Sequence, residues 1–388
     1  MNLRRSAQFS TEPPLEFRAQ IDRATFAKSL AYTRAKGKFA IWSGRFSSVC
    51  VLIFILTGIL GELDRQIAAL GFSPNICGVI LVLTLTVITE ALSAPLAFYS
   101  TFRIEAAFGF NRMTAALWFK DLVKHLILSC FLLTPVVYAV LWFMASSGAW
   151  WWLYAGAGVA AFQVFVAFIF PNVLAPIFNK FSPLEPGELK TEILQLASRA
   201  NFRTSGVYVM DGSRRSAHAN AYFAGLGTSK RIVLFDTLIK QLSTPEISAV
   251  LAHEIGHQKC GHIWKGLLLS ALLILAGFRA MDALVSYAPM YEAFGFAGPS
   301  ARAALVILIF LSAPIGYFIS PLFSSISRRF EYQADRFAVG LAGGWENLAG
   351  ALIALSKHSL SNLVPHPLYS FFHYSHPALA ERIAAMKG

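Results

Sequence analysis

Charged residues are scarce in this sequence. Only 14% of its 388 residues are Asp, Glu, Lys or Arg, whereas 56% are hydrophobic. Soluble proteins usually carry about 25% charged residues, so this composition excludes an ordinary soluble enzyme and indicates a protein that has lipid as part of its solvent. Cysteine is also scarce. The four cysteines show no Cys-x-x-Cys spacing, so the sequence predicts neither a disulfide framework nor a thiolate zinc site.

Six apolar runs are long enough to cross about 30 Å of hydrocarbon as helices. They lie near 39–60, 75–98, 124–145, 150–170, 263–288 and 303–323. We therefore expect a mainly α, polytopic membrane protein. The predicted organisation is a basic leader (1–38), a four-helix membrane region (39–170) with a loop at 99–123, a catalytic segment (171–262), two further membrane helices (263–323) and a last segment (324–388).

Basic residues are distributed over one side of this predicted topology. The net charge is +12, and most Lys and Arg fall in the leader, in the loop at 99–123 and in the two segments outside the membrane. Because basic loops stay in the cytoplasm during insertion, we expect both segments to be cytoplasmic. The same spread argues against a nucleic-acid interface, which needs one basic patch or stripe. The first of the two segments contains strand-like runs at 207–210 and 231–235, so it should include a small β element.

A metal-binding motif closes the segment 171–262. The residues His253-Glu254-Ile255-Gly256-His257 follow a helix-start signal, Ser243-Thr244-Pro245-Glu246. Two His four residues apart lie on one helical face and can bind one zinc ion, while Glu254 can act as the general base. The alternative is a chance match. The extended motif with a third His is absent, because Ile263 stands at that position, so a third ligand must come from elsewhere.

The last segment offers that ligand. Glu331 and Asp335 are one helical turn apart in Arg328-Arg329-Phe330-Glu331-Tyr332-Gln333-Ala334-Asp335. Glu331 could bind zinc while Asp335 accepts the second N–H of a ligating His. A solvated acidic pair, balanced by neighbouring arginines, is an equally open interpretation of the spacing.

Several further motifs, in order, resemble those of the type I CAAX prenyl proteases, which are membrane zinc metalloendopeptidases. The resemblance covers most of the chain. The motifs are Phe102–Glu105, Phe108–Asn111, Ala175–Lys180, Met210–Ser216, His218–Phe223, Arg231–Leu238, Tyr374–Pro377 and Glu381–Ile383.

The resemblance assigns roles to particular residues. It implies that His253, His257 and Glu331 bind one Zn²⁺ per chain, with Glu254 as the base and Asp335 as the supporting acid. It further implies that His376 stabilises the oxyanion and that Asn220 and Arg382 contact substrate. It places His262 at a recurrent family position outside the ligand set. Without the resemblance, His376 is an ordinary His before a turn-forming Pro.

One feature departs from the family. The resemblance would place a further membrane helix before the segment matching 18–44, where this sequence has about 20 polar residues.

The predicted function is zinc-dependent hydrolysis of peptide bonds near the C-terminus of protein or peptide substrates, prenylated ones included, at a lipid bilayer. A heat-shock-type quality-control protease is one alternative. A transporter or channel with an incidental metal is another, because Glu90, Arg279 and Asp282 fall within apolar runs. For the compartment, we favour a bacterial inner membrane over an endoplasmic reticulum membrane, with the site facing the cytoplasm.

Overall fold

The structure, a computed structural model, describes residues 1–9, 12–224 and 230–388. The α-helices are α1 (Asn2–Gln8), α2 (Arg23–Leu56), α3 (Ile59–Ala68), α4 (Pro74–Tyr99), α5 (Ala106–Phe108), α6 (Ala115–Ser146), α7 (Trp151–Ile169), α8 (Ala175–Phe178), α9 (Glu188–Arg199), α10 (Asp236–Gln241), α11 (Thr244–Lys259), α12 (His262–Leu284), α13 (Ala288–Ala293), α14 (Ala301–Ala342), α15 (Glu346–Ser359), α16 (Pro367–His373) and α17 (Leu379–Lys387). The strands are β1 (Phe181–Pro183), β2 (Gly206–Met210), β3 (Ala221–Ala224) and β4 (Arg231–Phe235).

Six helices of the described chain are long and apolar enough to cross a membrane, as predicted. They are α2, α4, α6, α7, α12 and α14. Two of them extend well beyond the predicted apolar runs: α2 begins at Arg23 instead of near residue 39, and α14 continues to Ala342 instead of ending near residue 323. Hydropathy detects the part of a helix that contacts lipid, whereas the backbone hydrogen bonds continue into polar sequence.

A buried apolar cluster holds the membrane helices together. It includes Leu81 on α4, Leu141 on α6, Phe278 on α12 and Ile307 on α14. An ion pair between Arg302 and Asp64 ties the start of α14 to α3. The residues that α14 contributes to this cluster lie near its start. The other end of α14 packs against a second lobe of the molecule, outside the membrane helices.

The second lobe contains a four-stranded sheet with the order β1-β2-β4-β3. Strands β2 and β4 are parallel, and the other two pairs are antiparallel. The predicted runs at 207–210 and 231–235 are confirmed as β2 and β4, whereas β1 and β3 were not recognised as strands. Helices α9, α11 and α15 bury their apolar faces in one core with the sheet, including Ile193, Ile232, Leu251 and Leu348.

Helix α11 is fixed at both ends by local sequence. A capping box between Ser243 and Glu246 begins it, with Pro245 in the first turn. At the other end, Gly261 takes a positive φ of 68°, a conformation that glycine adopts without strain, and α12 begins at the next residue. The chain therefore turns directly from α11 into a membrane helix.

Gly256 sets how closely α11 approaches α14. A Cβ at this position would lie 3.0 Å from both the Cα and the carbonyl oxygen of Ala334, and 3.2 Å from the Cβ of Phe337. Backbone atoms cannot move aside as the end of a flexible side chain can. The absence of a side chain at Gly256 is therefore what allows the two helices to touch.

We expect Gly256→Ala to destabilise the fold by about 1–3 kcal/mol, because the added methyl group forces α14 away from α11. Thermal unfolding of the detergent-solubilised chain measures this change. The matched control is Gly340→Ala, also on α14, where an added Cβ meets nothing within 4 Å. Because alanine has a better helix propensity than glycine, this substitution should stabilise the fold by up to about 1 kcal/mol. Equal unfolding temperatures for Gly256→Ala and the unaltered chain would contradict the packing argument.

Candidate active site

Three side chains predicted as metal ligands lie together where α11 meets α14. One ligand atom each from His253, His257 and Glu331 lies within 4.8 Å of the other two. The two Nε2 atoms of the His pair are 3.1 Å apart. Glu331 places Oε2 3.5 Å from Nε2 of His253 and Oε1 3.3 Å from Nε2 of His257. This grouping is the strongest feature of the site.

Asp335 binds the far side of the first His. Its Oδ1 lies 2.8 Å from Nδ1 of His253, which leaves Nε2 of that ring facing the second His. Arg382 in turn donates to both carboxylate oxygens of Asp335, at 2.6 and 2.9 Å, and its Nη1 lies 3.4 Å from Oε2 of Glu331. Asp335 is therefore placed where a supporting acid is needed.

The acidic pair is buried. Glu331 is 4% exposed and Asp335 is 1% exposed, so the alternative of a solvated acidic pair is wrong. Arg328, one of the neighbouring arginines, instead donates to the carbonyl oxygens of Ser370, Phe371 and Tyr374, which anchors the end of α16.

Glu254 follows His253 on α11 and is largely buried beside the ligand cluster. Burial raises the pKa of its carboxyl group, although the neighbouring His253 and His257 act in the opposite direction. A raised pKa makes a carboxylate a stronger proton acceptor. The role of Glu254 as general base stays a prediction.

His376 reaches the cluster from the loop after α16. Its Nε2 lies 3.3 Å from Oε1 of Glu331, and its ring is largely exposed. Nδ1 lies 2.9 Å from the hydroxyl of Ser375. If that hydroxyl donates to Nδ1, the ring proton is on Nε2, the nitrogen that faces the cluster. His376 therefore lies beside the cluster of His253, His257 and Glu331, and its role as oxyanion donor stays a prediction.

The two predicted substrate contacts differ in exposure. Asn220 is exposed and immediately precedes β3, one of the two edge strands of the described sheet; its Oδ1 accepts the N–H of Ala221 at 2.9 Å. Arg382 is only 8% exposed, and its bonds to Asp335 and Glu331 favour a positioning role. Direct contact of either residue with substrate stays a prediction.

The donor set fits a metal ion. With Nδ1 of His253 bound to Asp335, two ring nitrogens and a carboxylate converge on one place. Oε2 of Glu331 is buried and accepts no hydrogen bond among the described residues, although Nη1 of Arg382 lies 3.4 Å away, so this oxygen has lone-pair capacity for a metal ion. Three carboxylates, of Glu254, Glu331 and Asp335, are balanced by Arg382 and one divalent ion. Nitrogen and oxygen donors in this ratio are a known zinc ligand set.

Both parts of the chain match known protein families. Residues 2–180 match the family described as CAAX prenyl protease N-terminal, five membrane helices. Residues 183–388 match Peptidase family M48. The chain belongs to the CAAX prenyl protease family of M48 metallopeptidases. Of the six apolar helices among the described residues, four lie within the first of these regions, namely α2, α4, α6 and α7.

Individual relatives are similar over almost the whole chain. CAAX prenyl protease 1 of Saccharomyces cerevisiae is 36% identical, covering 97% of this chain and 88% of that protein. The CAAX prenyl protease 1 homologue of Homo sapiens is 34% identical, covering 99% and 90%. The crystal structure of S. mikatae Ste24p superposes with a TM-score of 0.93 at 36% identity, covering all of this chain and 94% of that one.

Membership of this family establishes the class of protein. The chain is an integral multi-pass membrane metalloprotease that acts on peptide or protein substrates. The transporter and quality-control alternatives are not favoured. All three charges that suggested a transporter have local partners: Arg279 pairs with Asp282 at 3.1 Å on the same helix, and Glu90 lies 3.6 Å from His125.

Sequence reasoning missed three residues at this site. The motif predicts roles for His253, Glu254 and His257 but none for Gly256, and the sequence predicts no contact of Gln333 or His262. In the structure, Gln333 lies 2.8 Å from Nε2 of His262, whose Nδ1 lies 3.0 Å from Nδ1 of His257. No sequence signal links residues 71 positions apart, so these contacts could be found only in three dimensions.

Metal binding at this site should weaken as the pH falls. Burial alone would lower the pKa of His253, but hydrogen bonds to Asp335 and Glu331 outweigh burial and raise this pKa to about 9. A metal ion must displace that proton. Below about pH 9 the affinity should therefore fall by up to about tenfold per pH unit.

Titrating the metal-free chain with Zn²⁺ against a competing chelator at several pH values measures this dependence. Asp335→Asn is the matched variant, because it removes the carboxylate that raises the pKa of His253. In this variant the fall in zinc affinity should begin at a lower pH. An affinity that is constant between about pH 7 and pH 9 would contradict the raised pKa of His253.

Proposed function

We propose that this chain is a zinc-dependent endopeptidase that cleaves peptide bonds near the C-terminus of protein or peptide substrates, including prenylated ones. One zinc ion per chain would be held by His253, His257 and Glu331. The observation that carries the proposal is the convergence of these three side chains beside Glu254. When bound, zinc supplies a Lewis acid that acidifies a water molecule and polarises the carbonyl of the scissile bond.

Glu254 carries the proton in this proposal. It takes the proton from the attacking water and returns it to the amine that leaves. The raised pKa of its carboxyl group, caused mainly by burial, reduces the cost of holding the proton between these two steps. Asp335 holds His253 in position and Arg382 holds Glu331, so the reacting groups would not need to reorganise during the reaction.

The developing oxyanion would receive a hydrogen bond from Nε2 of His376. This nitrogen lies 3.3 Å from Glu331 and can turn to a substrate oxygen that enters beside it. An extended substrate would pair with the edge strand β3 next to Asn220, which gives affinity through the main chain with little demand on sequence. Arg382 would act on substrate indirectly, through the carboxylates that it binds.

The position of the site suits substrates that are anchored to a membrane. Glu331 is eight residues beyond the predicted end of the apolar run in α14, which is about 12 Å of helix. On α12 the first residue, His262, is five residues from His257. A cleavage site next to a lipid anchor would also lie close to the bilayer. The short distance between the membrane helices and the proposed site therefore supports the proposal that lipidated substrates are cleaved.

The basic loops support a cytoplasmic site, because positively charged segments remain on that side. The relatives named above are eukaryotic, so they lend no support to the bacterial inner membrane that we favoured from the sequence. An endoplasmic reticulum membrane, with the same orientation of the site, agrees better with them.

Single substitutions should separate catalysis from metal binding. Glu254→Gln should lower the rate of peptide hydrolysis by roughly 10²–10⁴-fold, because the base is lost, while zinc content stays at the level of the unaltered chain. His257→Ala should lose both zinc and hydrolysis. Glu188→Gln, an exposed residue on α9, is the control and should change neither.

These variants are compared by metal analysis of the purified protein and by cleavage of a fluorogenic peptide. Equal loss of zinc in Glu254→Gln and His257→Ala would contradict the assigned roles. Full zinc occupancy in Glu331→Ala would exclude Glu331 as a ligand.

A pair of peptides tests the substrate class. The purified chain should cleave a prenylated peptide ending in a CAAX sequence faster than its unprenylated twin, in a reaction that stops on addition of a chelator and in the Glu254→Gln variant. Equal rates for both peptides would remove lipid recognition from the proposal while leaving peptide hydrolysis. No cleavage of either by the folded, zinc-loaded chain would remove hydrolysis as well.

A further inference from the structure

His262 lies beside the proposed metal centre but takes no part in the chemistry described above. It is the first residue of α12 and is 5% exposed. The turn at Gly261 directs its ring back between α11 and α14. There the ring stacks on Phe330, with centroids 4.2 Å apart and planes at 10°. A polar ring this deeply buried should have a partner for each of its nitrogens.

Both ring nitrogens of His262 do have partners. Nδ1 lies 3.0 Å from Nδ1 of His257, and Nε2 lies 2.8 Å from Oε1 of Gln333. Gln333 is on α14, two residues after Glu331. The three side chains thus form a chain of hydrogen bonds that runs from α14 through α12 to the His pair on α11.

The direction of this chain follows from proton counting. A carbonyl oxygen can only accept, so Nε2 of His262 donates to Gln333. In a neutral imidazole the other nitrogen then has a free lone pair, and Nδ1 of His262 accepts from Nδ1 of His257. This places the proton of His257 on Nδ1 and frees the lone pair on Nε2, the nitrogen that faces Glu331. The opposite direction would put a proton on Nε2 and block metal binding.

We propose that His262 and Gln333 are positioning residues that fix the tautomer and the ring orientation of His257 for metal binding. The inference rests on the proposed function, because it takes His257 as a metal ligand. It also means that α14 controls both His ligands: Asp335 binds Nδ1 of His253 directly, whereas Gln333 acts on Nδ1 of His257 through His262. Partners of this kind typically change metal affinity by roughly 10–100-fold.

Two substitutions at His262 separate hydrogen bonding from packing. His262→Phe keeps a flat ring against Phe330 but leaves Nδ1–H of His257 without an acceptor, so zinc should bind roughly 10–100-fold more weakly. His262→Asn loses the ring, but its Oδ1 can lie where Nδ1 of the imidazole lies and accept the same hydrogen bond. The Asn variant should therefore bind zinc more tightly than the Phe variant.

A second pair at Gln333 tests the other end of the chain. Gln333→Leu removes the acceptor for Nε2 of His262 and should weaken zinc binding. Gln333→Glu keeps an acceptor in the same place and should retain the affinity. The matched control for loss of an imidazole is His358→Phe, an exposed residue on α15, which should bind zinc as the unaltered chain does.

The measurement is the dissociation constant for Zn²⁺ on the full-length, detergent-solubilised chain, obtained by competition with a chelator. Thermal unfolding of each metal-free variant reports whether it folds. Equal affinity of His262→Phe and the unaltered chain would overturn the inference, and so would an Asn variant as weak as the Phe variant. If the His262 variants fail to fold, the two Gln333 variants decide. Tighter zinc binding by Gln333→Glu than by Gln333→Leu supports the inference, and equal affinity of the two variants would overturn it.

The same titration separates this inference from the proposed function. If the unaltered chain does not bind zinc, or if His257→Ala binds it as tightly, the proposed metal site itself is wrong. If the unaltered chain binds zinc, His257→Ala does not, and the affinity is insensitive to His262 and Gln333, only the positioning role is wrong.

Discussion

The contact between α11 and α14 at Gly256 is the constraint on which the site depends. Helix α11 supplies two imidazoles and the carboxyl group of Glu254, and α14 supplies two buried carboxylates. A side chain at Gly256 would meet the backbone of α14 at 3.0 Å, so only glycine allows the helices to approach without displacement. The distances between the carboxylates of α14 and the His rings of α11 thus depend on this helix packing.

Buried charge is the second determinant of the site. Glu331, Asp335 and Arg382 are each less than 10% exposed, and isolated ions at such depth would be costly. Each carboxylate instead contacts an imidazole and the guanidinium. Removing one member leaves the others without compensation, an effect typically larger than the net worth of the pair. The contacts with His253, His257 and Arg382 therefore compensate the two buried carboxylates.

The sequence predicted those parts of the structure that depend on local periodicity. The spacing of His253 and His257, the capping box at Ser243 and the apolar runs each lie within a few helical turns, so six membrane helices and the metal helix were predictable. The pairing of Glu331 with the His pair needed the family resemblance, because it joins two distant segments. The contact at Gly256 and the bonds of His262 depend on packing between helices, for which the sequence carries no periodic signal. The early start of α2 was missed because charged residues lower hydropathy without breaking a helix.

The proposed site is divided by the membrane hairpin formed by α12, α13 and α14. His253, Glu254 and His257 precede this hairpin, Glu331 and Asp335 lie in the last part of α14, and His376 and Arg382 follow it. During synthesis, the first half of the site therefore emerges without Glu331 and Asp335. If the proposed site is the catalytic centre, the chain becomes a protease only after its last two membrane helices have been inserted and the C-terminal helix α17 has docked. Its own biogenesis would then act as a safeguard, since no partially made chain would hold all the residues of the proposed site.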